Sequence, residues 1–179
     1  MRIIGGTFGG YRINPPAKIT ARPTTDRAKE SLINSLLSRD KIAHKTCLDL
    51  FSGTGNLAFE FASHQADFVT AIDINYHSID FIKKTFIDLK YSNYLALKQD
   101  VFKWLQSTNN LHYDLIFADP PYEHVGMLSL PDLIFNQDLL ADNGLLVIEH
   151  RSSLSFQNKN LIEARDYGQS RFSFFKKVD

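Results

Sequence analysis

The residues whose types most directly suggest chemistry are Asp119-Pro120-Pro121-Tyr122, which follow the apolar run Leu115-Ile116-Phe117-Ala118. An exocyclic amino group on a nucleobase is a poor nucleophile because its lone pair is delocalised into the ring. A carboxylate and a backbone carbonyl that both accept hydrogen bonds from such an NH2 hold it in place and favour its pyramidal form, with the lone pair pointing outward. Asp119 supplies the carboxylate and Pro120 the carbonyl. The two prolines fix φ and bring no N–H to compete for those acceptors. Tyr122 offers a flat face on which a flipped-out base can stack. The same four residues also read as a strand leaving a sheet through a proline turn, so the elements around them must decide.

From residue 46 the pattern alternates between strand and helix, the mark of a parallel sheet in an α/β fold. Strands are expected over Thr46–Phe51, Phe68–Ile72, Tyr94–Lys98, Tyr113–Ala118 and Leu145–His150, with a terminal pair over Leu161–Ala164 and Phe172–Lys176. Helices are expected over about Asn56–Ser63, over the segment carrying Ile79, Ile82, Phe86 and Leu89, from Asp100 through Phe102, Trp104 and Leu105, and over Asp132–Leu140. Ahead of this unit, Arg2–Ile4 and Tyr11–Asn14 suggest a glycine-linked hairpin. A helix begins near Arg22-Pro23-Thr24-Thr25-Asp26. Ala28, Leu32, Ile33, Leu36 and Leu37 form its core-facing stripe, and Arg27 and Lys29 are expected to face out. The organisation is an N-terminal extension over 1–45, continuous with the fold, and a principal unit over 46–179.

Ligands in open α/β sheets bind at the carboxyl ends of the strands. The distinctive residues fall there: Gly53 and Gly55 after the first strand, Asp73 after the second, Asp100 after the third, Asp119 after the fourth. Gly53-Thr54-Gly55-Asn56-Leu57-Ala58 also fits the dinucleotide form G-x-G-x-x-A, and Asp73 lies where that form has its ribose-binding acid. A nicotinamide dehydrogenase therefore remains open. Against it, Asp49 sits inside the first strand, where a carboxylate is costly without donors from a ligand or from loop amides. Nor has a dehydrogenase a use for Asp-Pro-Pro-Tyr.

At 179 residues, 44% hydrophobic and 22% charged, the chain can form a full core as one domain. It has no apolar run of membrane-spanning length and no signal-peptide pattern at Met1-Arg2-Ile3-Ile4-Gly5-Gly6. The single cysteine, Cys47, excludes an internal disulfide and suits a reducing cytoplasm. The six histidines show no metal-ligand spacing, so no metal is expected. Net charge is zero, but residues 1–45 hold nine Lys/Arg against three Asp/Glu, a net of +6, and the remainder carries −6. That asymmetry is consistent with a basic arm on an acidic body.

Taken together, these residues resemble S-adenosylmethionine-dependent amino methyltransferases of the Rossmann-like class. Leu48-Asp49-Leu50-Phe51-Ser52-Gly53-Thr54-Gly55 is similar to their glycine-rich cofactor motif, and Asp119-Pro120-Pro121-Tyr122 to their (D/N)-P-P-(Y/F) motif. With Met1-Arg2-Ile3-Ile4-Gly5-Gly6 and Arg22-Pro23-Thr24-Thr25-Asp26-Arg27 in the same order, nearly the whole chain resembles a bacterial family that methylates guanine N2 in 16S ribosomal RNA. The resemblance implies a seven-stranded, mostly parallel sheet whose last strand is antiparallel. It implies that Asp49 and the amides around Gly53 and Gly55 hold the methionine end of the cofactor, that Asp73 takes its ribose hydroxyls, that Asp100 hydrogen-bonds its adenine amino group with Val101 or Phe102 against the ring, and that Phe51 and Ile74 also belong to the cofactor site. Arg22, Thr24 and Thr25 would close the pocket, and Asp119, Pro120, Pro121 and Tyr122 would hold the acceptor amine. The implied partner is ribosomal RNA within the small subunit, met by a cytoplasmic monomer. One departure stands out: Thr7-Phe8-Gly9-Gly10-Tyr11 lacks the Lys and Arg usual in the family's first hairpin. Weak binding to protein-free RNA, and a need for an assembled particle, is the expectation. Adenine N6 in DNA or RNA, or a protein glutamine amide, also presents an NH2 that this motif can hold, and a non-catalytic binding module is a further alternative.

Overall fold

The computed structural model describes residues 1–19, 26–107, 111–167 and 170–178. Seven strands form one sheet in the order β3-β2-β1-β4-β5-β7-β6. They are β1 (Thr46–Leu50), β2 (Phe68–Asp73), β3 (Tyr94–Lys98), β4 (Tyr113–Ala118), β5 (Leu140–Arg151), β6 (Leu161–Tyr167) and β7 (Ser170–Phe175). β1 pairs in parallel with β2 and β4, β2 with β3, and β4 with β5, whereas β7 lies antiparallel between β5 and β6. This is the sheet the resemblance implies.

Helices cover both faces, which is why the central strands read as unbroken apolar runs. On one face α1 (Asp26–Ser38), α2 (Asn56–Ser63) and α3 (Tyr76–Asp88) pack over Cys47, Val69, Ala71, Leu115, Phe117 and Val147. On the other, α4 (Val101–Ser107) and α5 (Leu130–Asn136) cover Leu48, Leu50, Ile72, Ile116, Ala118 and Ile148. Odd and even residues of β1 and β4 thus supply different cores, as period-2 side-chain alternation requires.

Several boundaries and orientations differ from the sequence reading: β2, β5 and β6 run longer than expected, and β7 spans Ser170–Phe175 rather than Phe172–Lys176. The helix expected over 132–140 ends at Asn136, because Asp138 adopts a positive φ of 51° and breaks it; Leu140 instead begins β5, opposite Tyr113. β1 stops at Leu50, and Phe51 turns out of the strand with φ 59°. The expected N-terminal hairpin is reduced to one antiparallel bridge, Arg2 to Arg12, flanked by backbone bonds from Ile3 N to Tyr11 O (3.0 Å) and Gly10 N to Ile3 O (2.8 Å). This segment is held to α2: Ser63 O accepts from Thr7 N at 2.7 Å and Ser63 Oγ from Phe8 N at 2.9 Å. On α1, Arg27 is exposed as expected, but Lys29 is fully buried and Leu37 is 39% exposed. Lys29 goes inward because a buried acid, Glu60 of α2, meets it there.

Candidate functional site

The chain crosses from β3 back to the far side of β1 through α4, so the strand order reverses between β1 and β4. A reversal of this kind leaves a crevice at the strands' carboxyl ends. β1 and β4 end side by side, with Leu50 opposite Ala118, and Asp119 N donates to Leu50 O at 3.3 Å. The glycine loop and Asp119-Pro120-Pro121-Tyr122 therefore leave the sheet as neighbours.

The glycine loop is tightly built. Ser52, buried, donates its hydroxyl to Asp49 O (2.7 Å) and Ile72 O (3.1 Å), joining the ends of β1 and β2. Asp73 Oδ2 accepts from Gly53 N and Oδ1 from Asn75 N, each at 2.7 Å. The acid expected at the ribose thus already orients the loop beside it. Gly55 precedes α2 with φ 74°, and a Cβ there would lie 2.7 Å from Ile82 Cγ1 and 2.9 Å from Phe59 Cζ. Only glycine meets both conditions.

Asp49 is 2% exposed, and its Oδ2 accepts from Ala58 N at 3.2 Å. The donor comes from the first turn of α2 rather than from the loop ahead of it. Burial nonetheless pushes its pKa up to about 8; the Ala58 bond acts against the shift and the Asp73 charge adds to it. A buried acid with one amide donor is suited to a cationic amine, which would stabilise its ionised form.

Asp100 Oδ1 accepts from Lys103 N at 2.9 Å and so caps α4. Val101 is buried, while Ile74, after β2, is 65% exposed. Phe51, the bulky residue held at positive φ, lies 5.9 Å from the Phe102 ring and 6.5 Å from His124, and Phe102 stacks on His124 at 4.4 Å with planes 8° apart. This aromatic row ties the glycine loop to α4 and to the turn after Tyr122.

In Asp119-Pro120-Pro121-Tyr122, Pro120 is buried, Pro121 exposed, and Asp119 and Tyr122 are partly buried. Pro121 O accepts from His124 N at 2.8 Å, closing the turn. The Tyr122 hydroxyl lies 2.9 Å from Ser170 Oγ, and the Arg151 guanidinium stands 5.3 Å from the Tyr122 ring centroid. His124, Arg151 and Ser170 were not identified from the sequence. The Phe102–His124, Tyr122–Arg151 and Tyr122–Ser170 pairs join positions 22 to 48 residues apart, and no local spacing signals them. Arg22, Thr24 and Thr25 lie outside the described residues. No helix among the described residues is long and apolar enough to cross a membrane, and no cluster of three or more His, Cys, Asp or Glu there is placed to hold a metal.

Residues 1–176 match the family model described as Conserved hypothetical protein 95. The chain is 34% identical over 155 residues to Ribosomal RNA small subunit methyltransferase D of Buchnera aphidicola subsp. Baizongia pistaciae, covering 87% of this chain and 78% of that one. The protein of the same name from Haemophilus influenzae is 34% identical over 152 residues, covering 83% and 78%. The solved structure of yhhF from Escherichia coli superposes with a TM-score of 0.86 at 27% identity, over 99% of this chain and 97% of that one.

Proposed function

The chain belongs to the Conserved hypothetical protein 95 family and to the group of ribosomal RNA small subunit methyltransferase D, and from that premise we propose that it methylates ribosomal RNA, at N2 of a guanine in the small subunit, using S-adenosylmethionine. The observation that carries this reading is the adjacency at the sheet's reversal: Asp119 N meets Leu50 O at 3.3 Å, so the amine-holding motif starts where the glycine loop starts.

The residues present fit the cofactor. Asp49 is a buried acid that gains from a cationic partner, Asp73 is fixed by two backbone amides with its carboxylate at the loop, and Ile74 offers an exposed apolar surface beside it. In this reading Asp49, Phe51, Gly53 and Gly55 hold the methionine portion. Asp73 and Ile74 hold the ribose, and Asp100 and Val101 the adenine. Arg22, Thr24 and Thr25 are assigned in this reading to closing the pocket near the methionine portion. The cofactor supplies a methyl group on a positively charged sulfur, already a strong electrophile. The chain's task is alignment. Asp119 and the Pro120 carbonyl accept from the guanine NH2 and turn its lone pair toward the methyl, while Tyr122 stacks on the base. No strong base is required, because the amine proton can leave after transfer.

The lack of Lys and Arg over Thr7–Tyr11 supports an assembled or assembling particle as the substrate; the proposal has the chain meet it as a cytoplasmic monomer. The test is tritiated methyl transfer with small subunits from a strain lacking this gene, protein-free ribosomal RNA and DNA offered in parallel. Label in the subunits is expected; label in DNA alone would overturn the reading, and label only in protein-free RNA would overturn the assembled-particle part of it.

A further inference from the structure

Val125 is 99% exposed, more than any other large apolar side chain among the described residues, and Leu128 close by is 57% exposed. Scattered apolar residues are ordinary on protein surfaces. Val125 differs in where it stands and in how firmly it is held. It follows Tyr122 by three residues, and hydrogen bonds donated by backbone amides clamp its turn on both sides. His124 N donates to Pro121 O (2.8 Å), Gly126 N to His124 Nδ1 (3.0 Å), and Met127 N to His124 O (3.0 Å). The flanking residues are anchored as well. His124 stacks on Phe102, Met127 is 2% exposed, and Gly126 lies so close to Phe102 that a Cβ would fall 2.6 Å from its Cε1. The result is a rigid turn with a β-branched side chain of restricted rotamers at its tip. That side chain is almost fully in water, three residues past the tyrosine that must stack on the base.

A base inside an RNA helix is stacked on its neighbours, and turning it out leaves a gap whose two faces are apolar. Proteins that unstack bases frequently fill such gaps with an apolar side chain. Resting on the methyl-transfer reading above, we propose that Val125 enters the gap left by the acceptor guanine and holds it open while that guanine occupies the Asp119–Tyr122 site. Arg151, 55% exposed, stands 5.3 Å from the Tyr122 ring centroid and 3.5 Å from Glu123 Oε1, a solvent-exposed pairing that it can exchange for a flanking phosphate.

The test is single-turnover methyl transfer to small ribosomal subunits from the strain lacking this gene, with S-adenosylhomocysteine affinity and thermal unfolding measured in parallel. Val125→Ala and Val125→Gly should slow transfer, the latter by about tenfold or more, and Val125→Ile should restore it. Cofactor-product affinity should not move in any variant, and the unfolding temperature should hold for Val125→Ala and Val125→Ile, because the side chain touches almost nothing in the fold. Val125→Gly should lose only about a degree, through its more flexible unfolded chain. Wild-type transfer with all variants equally fast would overturn the wedge and leave the methyltransferase reading standing. So would slow transfer that Val125→Ile fails to rescue, or slowing matched by lost cofactor affinity. No transfer by the wild type to any RNA would overturn the methyltransferase reading itself, and the wedge with it.

Discussion

Lys29 and Glu60 meet at 2.8 Å with neither side chain exposed to solvent. Lys29 Nζ also donates to Arg2 O (2.6 Å) and Asn56 Oδ1 (2.8 Å), and Glu60 Oε1 accepts from Ile4 N (2.8 Å). The pair therefore joins three segments: the N-terminal segment around Arg2–Ile4, α1, and α2 directly behind the glycine loop. A buried charge is tolerated only when partnered in this way. Beyond the pair, Glu60 Oε2 and His64 Nε2 lie 3.9 Å apart, buried and without hydrogen-bond partners.

Lys29→Met should leave Glu60 buried and uncompensated, at a cost of about 3–5 kcal/mol. For a chain of this length that lowers the unfolding temperature by roughly 10 °C. Adding Glu60→Leu to Lys29→Met should recover most of the loss. Thermal melts followed by circular dichroism check both; a double variant no more stable than the single would contradict the assigned pairing.

Lys29 also marks where sequence reasoning ran out. Ala28, Leu32, Ile33 and Leu36 announce the buried face of α1 by their spacing, and a lysine beside Ala28 reads as the edge of that face. What draws it inward is an acid 31 positions away. The same limit hid the Phe102–His124 stack and the Tyr122–Arg151 contact, which depend on how loops meet rather than on any local pattern. By contrast the parallel strands were legible as apolar runs, and the site loops as the polar and glycine residues that end them. At the end of α5, the apolar Leu139 and Leu140 prolong the helical pattern, and only the left-handed Asp138 separates them from it.

Asp49 makes stability depend on pH in a definite direction. Its pKa in the folded chain, about 8, lies above an unfolded value of roughly 4. Between those values the folded chain holds a proton that the unfolded chain has lost, so stability falls as pH rises through that window and levels off above pH 8. Asp49→Asn should remove this contribution, and its advantage over wild type in unfolding temperature should grow from pH 5 to 8. An advantage independent of pH would mean that the carboxyl is ionised throughout.

The same carboxyl should make cofactor affinity depend on pH. If Asp49 pairs with the amine of the methionine portion, S-adenosylhomocysteine should bind more tightly as pH rises from 6 toward 8, with up to about one proton released per site near neutrality. Calorimetry in buffers of different ionisation enthalpy measures that proton. Wild type and Asp49→Asn releasing the same number would contradict the contact.

Gly126→Ala tests the aromatic row. The backbone there is ordinary, with φ −85°, but the new Cβ would lie 2.6 Å from Phe102 Cε1. Phe102 must move off His124, and the turn after Tyr122 moves with it. Methyl transfer should fall by about tenfold or more, since misplacement of about 1 Å is costly to an aligned reaction, while the unfolding temperature drops by only a few degrees. Transfer at the wild-type rate would show that the row does not position the turn.

Mass spectrometry of nucleosides from small-subunit RNA shows whether Asp119 holds a guanine amine for methylation. That RNA would be taken from the strain lacking this gene after incubation with S-adenosylmethionine and either wild-type protein or Asp119→Ala. New N2-methylguanosine is expected with the wild type and none above background with Asp119→Ala, although the variant binds S-adenosylhomocysteine nearly as tightly. N6-methyladenosine in its place, or undiminished N2-methylguanosine from Asp119→Ala, would contradict that role.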